Sequence, residues 1–140
     1  MSHVQAPNFT LNYLNKNESY CLSDDFGKIV VLTFWASWCP DCSNDMPLKE
    51  RLFQSIDSDK VKFITINVSG RERSKADAIR YFNSFMTQPT LVDNGIEVYR
   101  KYKCLGVPTT VIIDQNGTII NQFTDQANTM EIMTALTQLI

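Results

Sequence analysis

An apolar run at residues 29–35 constrains the fold of this chain more than any other feature. Only Thr33 interrupts the run. A strand with apolar side chains on both faces has to be covered on both faces, which is typical of parallel sheets flanked by helices. The run is far shorter than the roughly 20 apolar residues that a membrane-spanning helix needs. We therefore predict a buried central strand in an α/β protein.

The rest of the chain alternates between strand and helix patterns. Alternation, periodicity and turn residues predict strands at residues 9–14, 19–22, 29–34, 61–68, 90–92, 109–113 and 118–123. Helices are predicted at residues 39–56, 69–86, 96–102 and 128–139. Asn116-Gly117, between the last two strands, is a strong hairpin signal. This order predicts a mixed central sheet flanked by helices, with residues 1–8 as a loose entry.

The long helices each show one apolar face at helical spacing. The predicted inward-facing residues are Met46, Leu52, Phe53 and Ile56 in the first, Ala76, Ile79, Phe82 and Phe85 in the second, and Met130, Met133, Leu136 and Leu139 in the last. Pro47 lies inside the first helix and should kink it, because proline has no backbone N–H to donate.

Length, charge and the N-terminal residues give expectations for the number of domains, the kind of partner and the compartment. The 140 residues predict a single domain, 1–140. Acidic and basic residues are interspersed and the net charge is −2, whereas a nucleic-acid-binding surface concentrates basic charge. No basic stretch precedes an apolar segment at the N-terminus. We therefore expect a cytoplasmic protein, with the extracytoplasmic domain of a trimmed chain as the alternative.

Two cysteines, Cys39 and Cys42, lie where the central strand meets the first long helix. Thiols at this spacing on a helix can reach each other to form a disulfide bond. The first thiol lies over unpaired backbone N–H groups at the positive end of the helix dipole, which favours the nucleophilic thiolate. We predict that Cys39 attacks substrates and that the more buried Cys42 resolves the product. Pro40 suits the first helical turn.

Two other interpretations of the cysteines are open. A zinc site needs a second pair of ligands, and the chain offers only the isolated Cys21, Cys104 and His3. Two ordinary buried cysteines are the other alternative, although their position directly after a buried strand favours redox chemistry. No metal site and no cofactor is predicted. For Cys21 and Cys104 we predict buried free thiols rather than a second disulfide.

The string FWASWCPDC at residues 34–42 resembles the active site of thioredoxin-like proteins. Further matches resemble the TlpA/ResA branch of that superfamily and follow in the same order along nearly the whole chain. They are Ala6-Pro7-Asn8-Phe9, Gly27-Lys28, Pro47, Gly106-Val107-Pro108-Thr109-Thr110, and Ile113-Asp114 with Gly117. The chain therefore resembles a thiol–disulfide oxidoreductase.

The resemblance implies a thioredoxin-like fold with an N-terminal β-hairpin and an inserted helix. It also implies a cis peptide bond before Pro108, facing the cysteines. Trp38, Pro40, Val107 and Pro108 are the expected substrate-binding residues. The implied partners of the expected monomer are protein or peptide thiols and disulfides, in a narrower case one secreted peptide, together with an upstream electron donor or acceptor. Members of the branch frequently act outside the cytoplasm.

The chain departs from the resemblance at two positions. Many thioredoxins carry a buried acid on the central strand where this chain has Thr33, which cannot accept a proton in that role. TlpA/ResA relatives often have glutamate three residues after the second cysteine, where this chain has Asp45. Asp45 is therefore either a catalytic carboxylate that helps move the Cys42 proton or a solvated acid near the helix start.

Three alternative functions can be compared with this one. Particular residues disfavour the first two, and an experiment distinguishes the third. A thiol peroxidase typically has proline and threonine ahead of its cysteine, where this chain has Leu32 and Ala36. A copper-delivery protein needs a downstream histidine, but the only histidine is His3. A redox-linked peptide-binding or chaperone module is the non-enzymatic alternative, and it would keep its partner preference without either active-site cysteine.

Overall fold

Strand β4 (Ile29–Trp35) lies inside the central sheet, and every one of its residues is buried. The computed structural model describes residues 4–56, 59–124 and 129–139. β4 pairs in parallel with β5 (Val61–Asn67) and antiparallel with β7 (Thr109–Ile113). The predicted central strand of a mixed sheet is therefore confirmed.

The other strands extend this sheet on both sides. They are β1 (Val4–Gln5), β2 (Thr10–Tyr13), β3 (Ser19–Cys21), β6 (Thr90–Val92) and β8 (Thr118–Thr124). The order across the sheet is β1-β8-β7-β4-β5-β6-β2-β3. β6 continues the parallel part beside β5, and β7 and β8 form the predicted antiparallel pair. The β2–β3 hairpin is the N-terminal extension that the resemblance implies.

The helices of the described residues flank this sheet. They are α1 (Pro40–Ser55), α2 (Lys75–Phe85), α3 (Glu97–Lys101) and α4 (Thr129–Leu139), with short 3₁₀ turns at Leu22–Asp25 and Ser69–Arg71. None of the described helices is both long and apolar enough to cross a membrane.

The side chains of β4 alternate between two apolar clusters because successive residues of a strand point to opposite faces. Leu32 and Phe34 belong to the larger cluster, which also contains Cys39 and Cys42. Val31 belongs to the second cluster, which includes residues of α4. Both faces of the strand are thus removed from water, and the cysteine pair packs on one of them.

The entry to the chain differs from the prediction. Residues 1–3 lie outside the described residues, but Val4 and Gln5 pair antiparallel with β8 and are not loose. Ala6, the next residue, is 3% exposed, and its N–H donates to the Gly117 carbonyl at 2.8 Å. A strand of two residues has no periodicity to detect, so only the free edge of β8 decides this pairing.

The second predicted helix is shorter than expected, and only part of its predicted apolar face packs inward. Residues 69–86 divide into the 3₁₀ turn and α2, whose N-cap Ser74 accepts a hydrogen bond from the Asp77 N–H. Ile79 and Phe82 pack against the core as predicted, and Ala78 is fully buried. Ala76, next to the N-terminus of α2, and Phe85, at its last residue, are exposed, so the prediction for these two is wrong.

The inward faces of α1 and α4 largely follow the prediction. Met46 and Leu52 are buried, and Phe53, Ile56, Met133 and Leu139 are partly buried against the core. In α4, Ile132, Ala135 and Leu136 make the most buried stripe. Residue 128 and the side chain of Met130, both named in the prediction, lie outside the described residues.

A buried carboxylate ties α1 to the segment before β6. Glu50 is 8% exposed and accepts hydrogen bonds from the backbone N–H groups of Thr87 and Gln88 at 2.8 and 3.2 Å. Their side chains donate to the same carboxylate at 2.6 and 2.7 Å. Charged acceptors make the stronger hydrogen bonds in proteins, so Glu50 holds this connection firmly against the helix.

We predict that Glu50→Ala lowers the free energy of unfolding by about 2–4 kcal/mol, because it leaves the buried donors of Gln88 without an acceptor and removes both hydrogen bonds from Thr87. Urea unfolding measures the change. Glu131→Ala, at an exposed glutamate of α4, is the matched control and should change stability by less than about 0.5 kcal/mol. Equal losses in the two variants would contradict the structural role of Glu50.

Candidate active site

The reactive cysteine pair lies at the junction of β4 and α1. Cys39 is the N-cap of α1, and its sulfur accepts a hydrogen bond from the Cys42 N–H at 3.3 Å. Pro40 occupies the first turn, where its missing N–H leaves no helical hydrogen bond unmade. The sulfur thus takes the place that a serine or aspartate oxygen usually takes at a helix start.

A segment distant in sequence faces the pair. The Cys39 thiol donates to the Val107 carbonyl at 3.4 Å. The Val107–Pro108 peptide bond is cis, and both residues are buried. The structure therefore brings together the N-terminus of α1 and the start of β7, as the resemblance implied.

The two thiols differ in their surroundings. Cys39 is 5% exposed and Cys42 is 1% exposed. Burial raises the pKa of Cys42 well above its ordinary value, and its hydrogen bond with Cys39 and the negative charges of Cys39 and Asp45 act in the same direction. Cys42 is consequently a protonated thiol at neutral pH and has to lose a proton before it can act as a nucleophile.

Asp45 lies one helical turn after Cys42 and is 1% exposed. The interpretation of Asp45 as a solvated surface acid is therefore wrong. Its Oδ2 accepts a hydrogen bond from Lys49 Nζ at 2.8 Å, and Lys49 is also fully buried. The same ammonium donates to Thr33 Oγ1 at 3.2 Å and to Thr110 Oγ1 at 2.6 Å.

Lys49 is the residue of this site that the sequence analysis missed. Burial lowers the pKa of Lys49, and the Asp45 carboxylate opposes that effect. Two signals were available in the sequence: an acid and a lysine four residues apart on one helix, and a lone threonine in an otherwise apolar strand. Neither signal shows by itself that the pair is buried.

Glu72, a second residue that the sequence analysis missed, holds the loop before Cys39. Its carboxylate accepts hydrogen bonds from the Ser37 N–H at 2.7 Å and the Ser37 hydroxyl at 2.6 Å. Asn67 Nδ2, at the end of β5, donates to it at 2.7 Å. These contacts anchor the loop that carries Trp38 and Cys39.

Exposed apolar side chains surround the pair. Trp38 is 45% exposed and Leu105, two residues before Val107, is 87% exposed. Pro40 is exposed as well. The Trp38 indole N–H donates to the Arg71 carbonyl, which orients the ring. An open cleft of about 370 Å³ beside Trp38 is lined by Ser37, Trp38, Arg73, Asp77, Arg80, Tyr81, Ser84 and Phe85.

The other two cysteines behave differently from each other. Cys104 is a buried free thiol, as predicted. Cys21 is also a free thiol, as predicted, but it is only partly buried, so the prediction of its burial is wrong. A hydrogen bond with the Ser23 hydroxyl at 3.2 Å is the largest cause of the lowered pKa of Cys21. Strand alternation turns Tyr20 inward and Cys21 toward the opposite face of the sheet.

Comparison with solved structures defines the class of protein. The exposed lipoprotein thioredoxin Etrx1 from Streptococcus pneumoniae strain TIGR4 matches with a TM-score of 0.83 at 28% identity, over 95% of this chain and 100% of that chain. StoA from Bacillus subtilis, at 22% identity, matches with a TM-score of 0.79 over 92% of this chain and 96% of that chain. The fold is thioredoxin-like, as the resemblance implied.

Sequence comparison then gives the family. Residues 3–122 match the AhpC/TSA family, and the chain belongs to it. The thioredoxin-like protein YneN of Bacillus subtilis (strain 168) is 37% identical over 117 residues, covering 82% of this chain and 66% of YneN. The thiol-disulfide oxidoreductase ResA of Halalkalibacterium halodurans is 35% identical over 121 residues, covering 86% of this chain and 66% of ResA. The chain thus spans about two thirds of these relatives.

We predict that iodoacetamide at neutral pH modifies Cys39 well before Cys42, because Cys42 is more buried and held protonated. The partly exposed Cys21 would compete for the reagent, so the measurement uses Cys21→Ser. Mass mapping after brief treatment with limiting reagent locates the label. A label that falls first on Cys42 or Cys104 would contradict the assignment of Cys39 as the attacking thiol.

Proposed function

We propose that this protein is a thiol–disulfide oxidoreductase that exchanges disulfides with protein or peptide substrates. One observation carries the proposal: the Cys39 sulfur caps α1, contacts the Cys42 N–H, and faces the carbonyl that precedes cis-Pro108. Helix N-terminal N–H groups stabilise a thiolate and so prepare the first cysteine for attack. The relative ResA is named for the same activity, as a thiol-disulfide oxidoreductase.

The exchange proceeds through a mixed disulfide. The Cys39 thiolate attacks one sulfur of a partner disulfide, and the other partner sulfur leaves with the electron pair. Cys42 then loses its proton and attacks the Cys39 sulfur, which releases the second partner sulfur as a thiolate. The partner gains two electrons, and Cys39 and Cys42 end as a disulfide. The reverse sequence oxidises a partner dithiol.

Asp45 is the proposed acceptor of the Cys42 proton. It is a buried carboxylate on α1, one turn from the thiol, whereas Asp41 beside Cys42 is exposed. The charge of Asp45 also contributes to the raised pKa of Cys42. A carboxylate in a water-poor site can take the proton as the sulfur attacks, and return it when Cys42 leaves as a thiolate in the reverse reaction. Asp45 thus acts in both directions of exchange.

The exposed rim around Cys39 is the proposed docking surface for the substrate. Trp38, Pro40 and Leu105 present apolar surface, and tryptophan is enriched among residues that dominate protein interfaces. Within the described residues, the Val107 N–H has no hydrogen-bond partner. Val107 and Pro108 can therefore border an extended peptide whose backbone pairs with the Val107 N–H.

The direction of electron flow and the partner depend on the compartment. The reduction potential of the cysteine pair, compared with that of its surroundings, decides whether the protein reduces or installs disulfides. The described location of the pneumococcal Etrx1, an exposed lipoprotein, supports the extracytoplasmic alternative. A partner set of secreted polypeptides, and an electron donor or acceptor in the same compartment, follow from that alternative.

We predict that Cys42→Ser accumulates covalent partner adducts, because Cys39 still attacks but the mixed disulfide has no internal nucleophile to resolve it. Non-reducing gels of source-cell extracts show the adducts, and dithiothreitol releases them. Cys39→Ser is the matched control and should give none. Adducts that form equally with both variants indicate nonspecific capture, and their absence with both leaves a binding module without exchange.

We predict that Trp38→Ala lowers kcat/KM for a disulfide-bonded polypeptide about tenfold while changing the rate with a small disulfide by less than about twofold, because only the polypeptide reaches the rim. Parallel assays of the reduced protein with scrambled, disulfide-bonded ribonuclease and with oxidised glutathione separate the two. Phe26→Ala, at an exposed aromatic residue before β4, is the matched control. An equal loss with both substrates would place Trp38 in the chemistry instead of docking.

A further inference from the structure

Lys49 is the one lysine among the described residues that is fully buried. Its ammonium group donates to three oxygens, one on Asp45 of the same helix, one on Thr33 of β4 and one on Thr110 of β7. These three bonds use every donor of an ammonium group. Burying a charged group lowers stability even when all of its hydrogen bonds are made. The buried ammonium of Lys49, close to the redox pair, therefore calls for a functional explanation.

The second oxygen of the Asp45 carboxylate has no hydrogen-bond partner within the described residues. Asp45 Oδ2 accepts from Lys49, whereas Asp45 Oδ1 is buried and has no hydrogen-bond partner within the described residues. A buried acceptor without a partner is destabilising and calls for an explanation in a folded protein. Cys42, one turn earlier on α1, is electrostatically linked to both members of the pair.

We propose that Lys49 is a positioning residue that holds the Asp45 carboxylate in place through Oδ2, so that the unpartnered Oδ1 can accept the Cys42 proton. The inference rests on the proposed exchange function and extends it. The ammonium is fixed from the other side by Thr33 and Thr110, so its bond to Oδ2 balances the charge of the buried carboxylate and sets its orientation. Lys49 therefore supports Asp45 as the proton acceptor at a place where the central strand offers only Thr33.

The proposed step balances in charge. Before resolution, the site holds the Cys42 thiol, the Asp45 carboxylate and the Lys49 ammonium. The Cys42 proton moves to Asp45 Oδ1, the Cys42 sulfur forms the bond to Cys39, and the partner sulfur leaves with the electron pair. Lys49 keeps its proton and its hydrogen bond to Oδ2, while Thr33 and Thr110 continue to solvate the ammonium.

Other groups that titrate face the same site. Cys39 lies at the start of α1, and Tyr81 approaches from α2 with a pKa raised mainly by burial. Tyr81 is electrostatically linked to Cys42, Cys39 and Asp45. The contacts from β4 and β7 are the neutral hydroxyls of Thr33 and Thr110. Lys49 is thus the only cation that hydrogen-bonds the Asp45 carboxylate within the described residues.

The test separates the two chemical steps in a Cys21→Ser/Cys104→Ala background. Reduced protein reacts with the aromatic disulfide DTNB, and stopped-flow absorbance follows the released thionitrobenzoate. Cys39 releases the first equivalent when it attacks, and Cys42 releases the second when it resolves the adduct. Lys49→Met should slow the second phase at least about tenfold at pH 7 and leave the first within about twofold.

The pH profile and a double variant identify the mechanism. In Lys49→Met, the second phase should rise steeply with pH, because Cys42 must then lose its proton to solvent. Asp45→Asn should slow the second phase to a similar extent, and the double variant should be no slower than either single one. Lys49→Arg keeps the positive charge and should restore most of the rate. Lys75→Met, at an exposed lysine of α2, is the matched control.

Three outcomes would overturn the inference. They are an unchanged second phase in Lys49→Met, equal slowing of both phases, and further slowing by Lys49→Met in the Asp45→Asn background. If Lys49→Met does not fold, Lys49→Arg and the double variant, in which neither charge is left unpaired, carry the same comparison. Failure of the first phase in the parent protein would instead refute the proposed exchange function itself.

Discussion

Burial of β4 on both faces is the constraint on which the rest of the structure depends. An apolar strand gains stability only if both of its faces leave water, at about 25 cal/mol for each Å² of apolar surface removed. The neighbouring strands take up its backbone hydrogen bonds, and the two apolar clusters cover its faces. The chain must then leave the sheet at the end of β4, and the loop to α1 places Cys39 at that edge.

The core beneath the site is not purely apolar, and it contains charged groups held by hydrogen bonds. Lys49 and Asp45 form a buried ion pair. Glu50, on the same helix, accepts hydrogen bonds from the segment before β6. Buried ion pairs contribute little net stability compared with apolar packing, and the proposed role of this pair in exchange gives a reason for its burial. One helix thus carries the cysteine pair at its N-terminus, the proposed proton acceptor Asp45 and the structural anchor Glu50.

The two active-site thiols show how a short motif acquires unequal chemistry. Cys39 and Cys42 have the same side chain, but one caps the helix and the other lies inside its first turns, among apolar groups. The raised pKa of Cys42 follows chiefly from that burial. In the proposed exchange this difference is useful. Cys39 attacks, and Cys42 stays protonated until the mixed disulfide has formed.

The sequence alone determined the central strand, the order of the main elements and the cysteine pair at a helix start, because these depend on local periodicity and short motifs. The proline that faces the pair was predicted only through the resemblance to thioredoxin-like proteins. The tertiary structure decided which charged groups are buried. Asp45 and Lys49 have the spacing of an ordinary surface pair, and only the approach of Thr33 and Thr110 from two strands encloses them. The strand at Val4–Gln5, which pairs with β8, was likewise decided by long-range packing. Burial depends on neighbours that are distant in the chain, and a local sequence pattern does not show which residues those neighbours are.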